Sequence, residues 1–505
     1  MNPALLPLFV GVPLAVAGLM AVFTPPMWVR STLMMVPSGL GLAAASLLLW
    51  QTRDGQVLAH NVGLWQDGIS IPFVADTFTA LMLWTTSLLV LVSAAFAAAV
   101  HDDQRPFFPS LVLVLYAGVS GALLTGDLFN LFVFIEVMLL PSYGLLAMIG
   151  ALGRLRAGRI YVTVNLLTST IFLAGVALVY GATGTVHLGE LAGQAAESPV
   201  VAAGMGVVIL ALSIKAAVVP VHGWLARTYP RASPAVTALF SGLHTKVAIY
   251  AIYRLYALVF DGDSTYLWIG VLVFSATMLI GVMGAVGEDT TRSILVFHMI
   301  SQIGYILLGV ALFTEIGLMA GIFYLIHHMI VKASLFLSTG AIEHTHGTGA
   351  LDRLGGIARR QPVLGLVFMG AALSLAGLPP FSGFVAKLTL VIGAVDAQQW
   401  AAAAIMIVVS LITLMSMLKI WGGVFWGKDP AHEADHDGSG TTSAEGGTTT
   451  VTAARVRPMV LMPGLILTAT TLCIGLGAQV LLTLSAEAAQ GLLDTSGYLE
   501  AVLGG

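Results

Sequence analysis

Gly126-Asp-Leu-Phe-Asn-Leu-Phe-Val-Phe-Ile-Glu136-Val-Met-Leu-Leu-Pro141 opens on Asp127 and then sets a second carboxylate, Glu136, well inside an apolar run. With its flanks the run is long enough to cross a bilayer as a helix, which takes about 20 mostly apolar residues. An ionised group at that depth is costly and is tolerated where it faces protein or water rather than lipid. The stretch therefore predicts a membrane helix with a polar inner face, and its reading turns on what lies opposite Glu136.

Runs of the same kind recur from Leu5 almost to Leu484, and the 505 residues are 58% hydrophobic and only 9% charged. A soluble domain carries about a quarter charged residues, so the bilayer is the main solvent here. The pattern predicts an all-α polytopic membrane protein of about 14 transmembrane helices. Helices 1 to 3 are expected within 1–106, with a small extracytoplasmic hairpin at about 51–75, where apolar and polar residues alternate around Gly55, Gly63 and Gly68. Residues 107–258 and 259–427 then hold two five-helix units, 428–457 a polar cytoplasmic loop, and 458–505 a last helix and tail. His432 and His436 in that loop have metal-ligating side chains, but the surrounding Gly, Ser and Thr favour a solvated linker. No positive residue precedes Arg30, so the first apolar run lacks the start of a cleavable signal peptide and reads as a retained span.

Several classes fall away. The net charge of −4 and the lack of a basic tract exclude a nucleic-acid binder. One cysteine, Cys473, excludes intrachain disulfides and cysteine-ligated iron-sulfur clusters held by this chain alone. A haem protein would need paired axial histidines on facing helices, and no such pairing is evident.

With both termini outside, the inward loops hold Arg30, Arg105, Arg154, Arg156, Arg159, Arg227, Arg231, Arg292, Arg353, Arg359, Arg360, Lys428, Arg455 and Arg457, which is 14 of the 21 basic residues. Outward loops hold only Arg53 and Arg254, the latter at a span end from which it could snorkel. Positive charge is retained on the cytoplasmic side, so the expected setting is a bacterial inner membrane with both termini extracytoplasmic.

The remaining five basic residues are all lysines inside apolar runs: Lys215, Lys246, Lys332, Lys387 and Lys419. Each would cost about 2.5–3.5 kcal/mol facing lipid, so they must turn inward. Lys419, near a span end, is as readily an interfacial anchor. Lysine suits proton relay because its proton affinity responds to desolvation and to a neighbouring carboxylate. Lys215 is the natural partner of Glu136; a static pair that fixes helix register is the plainer alternative. His244, His298, His327 and His328 also fall in apolar runs and add groups that titrate near neutral pH. Any one of them could be a packing residue; together with the lysines they suggest a path. His328 and Lys332 share a helix face, as do His298 and Gln302, whereas His244 and Lys246 cannot both face one way on a regular helix, so one of them could be structural.

Pro220 follows Lys215 by five positions, and Pro379 and Pro380 precede Lys387, so two helices are expected to break beside a lysine. An ordinary kink is the commoner cause of such prolines. Broken helices at corresponding places in two halves point to an ion site between inverted repeats, and an odd, five-helix unit would supply the inversion.

Taken together, the stretch from Gly126 to Glu136, Leu243-His-Thr-Lys-Val-Ala-Ile-Tyr250 and Gly377-Leu-Pro-Pro-Phe-Ser-Gly-Phe-Val-Ala-Lys387 resemble the antiporter-like membrane subunits shared by respiratory complex I and the Mrp-type sodium/proton antiporters. The resemblance covers nearly the whole chain and is greatest to the D-type subunits of the Mrp branch. It implies that Glu136 and Lys215 form the pair of a first half-channel, that Lys246 and the His328/Lys332 region bridge the halves, and that Lys387 serves the exit. It further implies a hetero-oligomer with other Mrp subunits, transport of H+ and Na+, and no bound cofactor. The alternative is a proton-pumping subunit of a complex I-like quinone oxidoreductase or related hydrogenase, some relatives of which are similar but carry glutamate where Lys387 stands.

Overall fold

The computed structural model describes residues 1–505 except 24, 64–69, 106, 149–151, 428–455 and 505. Two N-terminal helices, α1 (Leu8–Phe23) and α2 (Met27–Thr52), precede an antiparallel pair of strands, β1 (Leu58–Val62) and β2 (Ile71–Ala75). Then follow α3 (Thr77–Ala99), α4 (Phe108–Leu124), α5 (Leu128–Ala147), α6 (Leu152–Thr183), α7 (Pro199–Lys215), α8 (Gly223–Thr228), α9 (Pro234–Gly242) and α10 (His244–Val259). The second half runs through α11 (Leu267–Val286), α12 (Thr291–Leu312), α13 (Glu315–His346), α14 (Pro362–Ala376), α15 (Ser382–Asp396) and α16 (Trp400–Ile420). It is followed by α17 (Pro458–Leu476), α18 (Ala478–Leu493) and α19 (Ser496–Leu503). The proposed loop residues His432 and His436 lie outside the described residues.

Among the described residues, eleven helical stretches are long and apolar enough to cross a membrane, and three shorter apolar helices, α4, α7 and α14, join them. A helix that is apolar on all sides belongs in the interior, and α3, α9–α10, α12 and α13 are buried over most of their length. By contrast α1, α2, α11 and α16 leave Leu19, Trp28, Leu272 and Met415 on the outside, as lipid-facing helices do.

Helices α5, α6 and α7 begin at Leu128, Leu152 and Pro199, and α12, α13 and α14 begin at Thr291, Glu315 and Pro362, each 163 positions later. The packing repeats at the same interval. Gly118 on α4 lets the backbone of Met138 on α5 approach, and Gly281 on α11 does the same for Ser301 on α12. Gly121 admits the ring of Phe134, and Gly284 that of Phe297. A Cβ at any of these glycines would collide with the neighbouring helix, so the close approach requires glycine. Helix starts are capped alike: the Asp127 side chain accepts from Asn130 N–H, and that of Thr290 from Ser293 N–H. The chain thus holds two five-helix repeats, α4 to α10 and α11 to α16. Because five is odd, each helix of one repeat runs opposite to its equivalent in the other.

Both repeats contain a broken helix. In the first, α7 stops at Lys215 and α8 starts at Gly223; in the second, α14 stops at Ala376 and α15 starts at Ser382. Prolines occupy both gaps, and the missing N–H of proline prevents either helix from continuing. A further interruption at Leu243 separates α9 from α10, with no proline at that point.

Candidate functional site

The first repeat brings Glu136 on α5 to Lys215 at the last position of α7. Lys215 Nζ lies 3.7 Å from Glu136 Oε1. Ser169 on α6 sits between them: its hydroxyl donates to Glu136 Oε1 and accepts from Lys215 Nζ at 3.2 Å. Lys215 is buried, while the Glu136 side chain keeps a quarter of its surface exposed at the edge of the chain. The C-terminal end of α7 carries the negative end of the helix dipole, which favours a cation there. Its carbonyl at Ile214 accepts from Trp224 Nε1 at 3.0 Å.

Behind Lys215 is a cavity of about 10 Å³ lined by Tyr161, Asn165, Lys215, Trp224 and His244. That is room for about one water molecule. His244, at the start of α10, packs edge-on against Phe240 and lies within the field of Lys215, with the backbone of Met138 beside its ring. His244 and Lys246 are two apart on the same helix and so point to different sides, His244 into the field of Lys215 and Lys246 into that of His328 and Lys332.

Lys246 is fully buried and donates to Thr245 Oγ1 at 3.0 Å. It acts electrostatically on His328 and Lys332 of α13, both fully buried. The His328 ring nitrogens have no protein hydrogen-bond partner, and Lys332 Nζ donates to Leu295 O at 2.8 Å. His298 on α12 lies in the field of both Lys332 and Lys387, and its Nε2 is 2.9 Å from Ser416 Oγ. His327 Nδ1 is 2.7 Å from Ser382 Oγ, which in turn is 2.5 Å from Thr471 Oγ1. Lys387 Nζ donates to Ala376 O, the final carbonyl of α14, at 2.9 Å, and lies 5.5 Å from the centre of the Tyr305 ring.

The structure therefore places Glu136, Lys215 and His244 together in the first repeat, and Lys246, His328, Lys332, His298, His327 and Lys387 together in a second group that reaches into the second repeat. Pro220, Pro379 and Pro380 lie in the two helix breaks that flank these groups. Two basic residues stand apart. Lys419 is half-buried and donates to Val286 O, Glu288 O and Asp289 Oδ1, contacts that suit an anchor near the span end. Arg254 does not snorkel outward as its position near a span end suggested: it is buried and ion-paired with Asp76 at 2.6 Å, because the N-terminus of α3 packs against the end of α10.

Sequence reading did not single out Ser169, Asn165, Ser382, Ser416, Thr471 or Tyr305. Ser169 and Asn165 are four apart on α6, one polar stripe in an apolar helix, which is the signal that would have found them. Among the described residues no group of histidine, cysteine or carboxylate side chains could hold a metal ion.

Residues 125–413 match the model of the NADH:quinone oxidoreductase/Mrp antiporter transmembrane family. The chain is 36% identical over 449 residues to the D-type Na+/H+ antiporter subunit of Alkalihalophilus pseudofirmus, covering 88% of each. It is 32% identical to the D-type subunit of Bacillus subtilis, over 99% of each. A chain in the structure of the Mrp complex from Dietzia sp. DQ12-45-1b is 55% identical and superposes with a TM-score of 0.94 over 99% of both.

Proposed function

The chain belongs to the NADH:quinone oxidoreductase/Mrp antiporter family, and from that premise we propose that it is the D-type subunit of a sodium/proton antiporter and carries protons along the buried series from Glu136 to Lys387. The Glu136–Ser169–Lys215 contact is the observation that carries this reading. A carboxylate and an ammonium that share one hydroxyl can pass a proton over a short distance, and either can re-pair once the other changes charge.

The rest of the series supports continuity. His244, His298, His327 and His328 each keep at least one buried ring nitrogen without a protein partner. Buried polar groups are ordinarily satisfied by protein or by water, so the interior between the lysines suits water-bridged transfer. Glu136, at the rim of the chain, is placed to receive protons from a neighbouring subunit, in keeping with a hetero-oligomer of Mrp subunits. Fourteen inward basic residues against Arg53 alone in the outward loops, Arg254 being buried, favour both termini on the extracytoplasmic side of a bacterial inner membrane.

Glu136→Ala or Lys215→Ala is expected to abolish sodium-driven proton movement in everted vesicles while the partner subunits still co-purify. Exchange at the level of the unsubstituted complex would overturn the proposal.

A further inference from the structure

The buried series has a side branch. Lys246, Tyr250 and Arg254 are spaced by four on α10 and so share one face. The Tyr250 hydroxyl donates to Leu123 O at 2.9 Å and is 2.7 Å from Thr79 Oγ1. Arg254 Nη2 donates to Tyr250 Oη at 3.3 Å, to Thr79 Oγ1 at 3.4 Å and to Asp76 Oδ2 at 2.6 Å. Asp76 itself caps α3 and lines a cavity of about 490 Å³ whose wall also holds Gln56, Glu487, Asp494 and Tyr498. Exposed Gln490 and Asp494 at that wall open the cavity to the face on which α3 begins. Polar side chains on one helix face thus lead from Lys246 past Tyr250 to a solvent-open, acidic vestibule, the hydrogen-bonded stretch running from Tyr250 through Arg254 to Asp76.

Arginine is the one basic side chain that keeps its charge in any protein environment. Here it is also immobilised. Its guanidinium lies 5.3 Å from the centre of the Tyr498 ring, 5.5 Å from that of Tyr250 and 5.9 Å from that of Phe78, besides its bond to Asp76. The positive end of the ion pair faces Tyr250 and the lysine; the negative end faces the vestibule. A fixed cation in a narrow polar path raises the energy of any proton beside it, as arginine does in pores that exclude cations.

We propose that Arg254, clamped by Asp76 and three aromatic rings, is an electrostatic plug that seals the central lysine from the vestibule and so keeps translocated protons from leaking out sideways. The inference rests on the relay reading above but is read out separately, as proton leak without sodium rather than as exchange.

The test uses the assembled complex in vesicles, with an inside-negative potential imposed by potassium and valinomycin in sodium-free buffer and internal pH followed by a trapped dye. Arg254→Met is expected to raise proton influx about tenfold, and Arg254→Lys, whose ammonium can release its proton, to raise it by less than Arg254→Met. Asp76→Asn combined with Arg254→Met removes both charges, leaves no unpaired buried carboxylate and is expected to leak like the single variant; it carries the test if the single variant does not assemble. Adding Lys246→Met to Arg254→Met is expected to stop the leak. A tight Arg254→Met or double variant, an Arg254→Lys leakier than Arg254→Met, or a leak that survives loss of Lys246 would each overturn the plug. Relay failure would register elsewhere, as exchange retained in Glu136→Ala.

Discussion

Position 136 is glutamate in the first repeat, and its equivalent 163 residues later, position 299, is methionine; position 169 is serine, and its equivalent, 332, is lysine. Tyrosine is kept at 161 and 324, both fully buried, so the backbone plan and part of the packing are shared while the charges are redistributed. In the first repeat the lysine at the end of the broken helix has a carboxylate 3.7 Å away. In the second, Lys332 and Lys387 have backbone carbonyls instead, Leu295 O at 2.8 Å and Ala376 O at 2.9 Å. The last turn of each half-helix also offers a carbonyl, accepting the Trp224 indole in one repeat and the Lys387 ammonium in the other. One half therefore compensates a buried cation by pairing it and the other by backbone carbonyls, at Ala376 the negative end of a helix. Breaking the pair strands a charge; the backbone carbonyls cannot be removed by any side-chain change.

The sharpest way to break this comparison is Lys387→Ala. If the second repeat carries protons and is not merely scaffold, sodium-driven exchange in everted vesicles falls to background, as with Lys215→Ala, with the partner subunits still bound. Wild-type exchange would reduce the second repeat to a support. Ser169→Ala probes the pairing itself. A hydrogen bond to a charged group contributes about 1.5–3 kcal/mol, so losing the hydroxyl shared by Glu136 and Lys215 should slow exchange about tenfold or more while assembly is kept. An unchanged rate would mean that the direct contact suffices. The smallest effect belongs to Trp224→Phe, which removes the indole bond to Ile214 O and trims the ring that packs against Tyr161 and Tyr229. It should cost about 1 kcal/mol, read as a modestly lower melting temperature in detergent, with exchange reduced far less than by Ser169→Ala.

Much of this was legible in the sequence because insertion cost makes every intramembrane charge informative. Glu136, Lys215 and Lys387 announce an inner face simply by standing in apolar runs, and Pro220, Pro379 and Pro380 mark the gaps between half-helices. What stayed hidden has equally physical causes. The stop at Leu243 carries no proline, and Gly242, which ends α9, is one of the chain's 56 glycines, so nothing singled that break out. Ser169 is a small hydroxyl of a kind that helices also use to bond their own backbone, and only its position opposite Glu136 distinguishes it. Asp76 and Arg254 are 178 residues apart and each lies near a helix end, where a charge ordinarily meets water.

The two halves meet at His328, fully buried within the field of Lys246 and Lys332 and in contact with neither broken helix through a hydrogen bond. His328→Leu leaves Glu136, Lys215 and Lys387 in place and interrupts only the crossing between them. If protons traverse the chain from one repeat to the other, sodium-driven proton movement in vesicles bearing the assembled complex is lost with this single substitution. Exchange at the unsubstituted rate would mean that the two halves work apart and that no continuous path joins them.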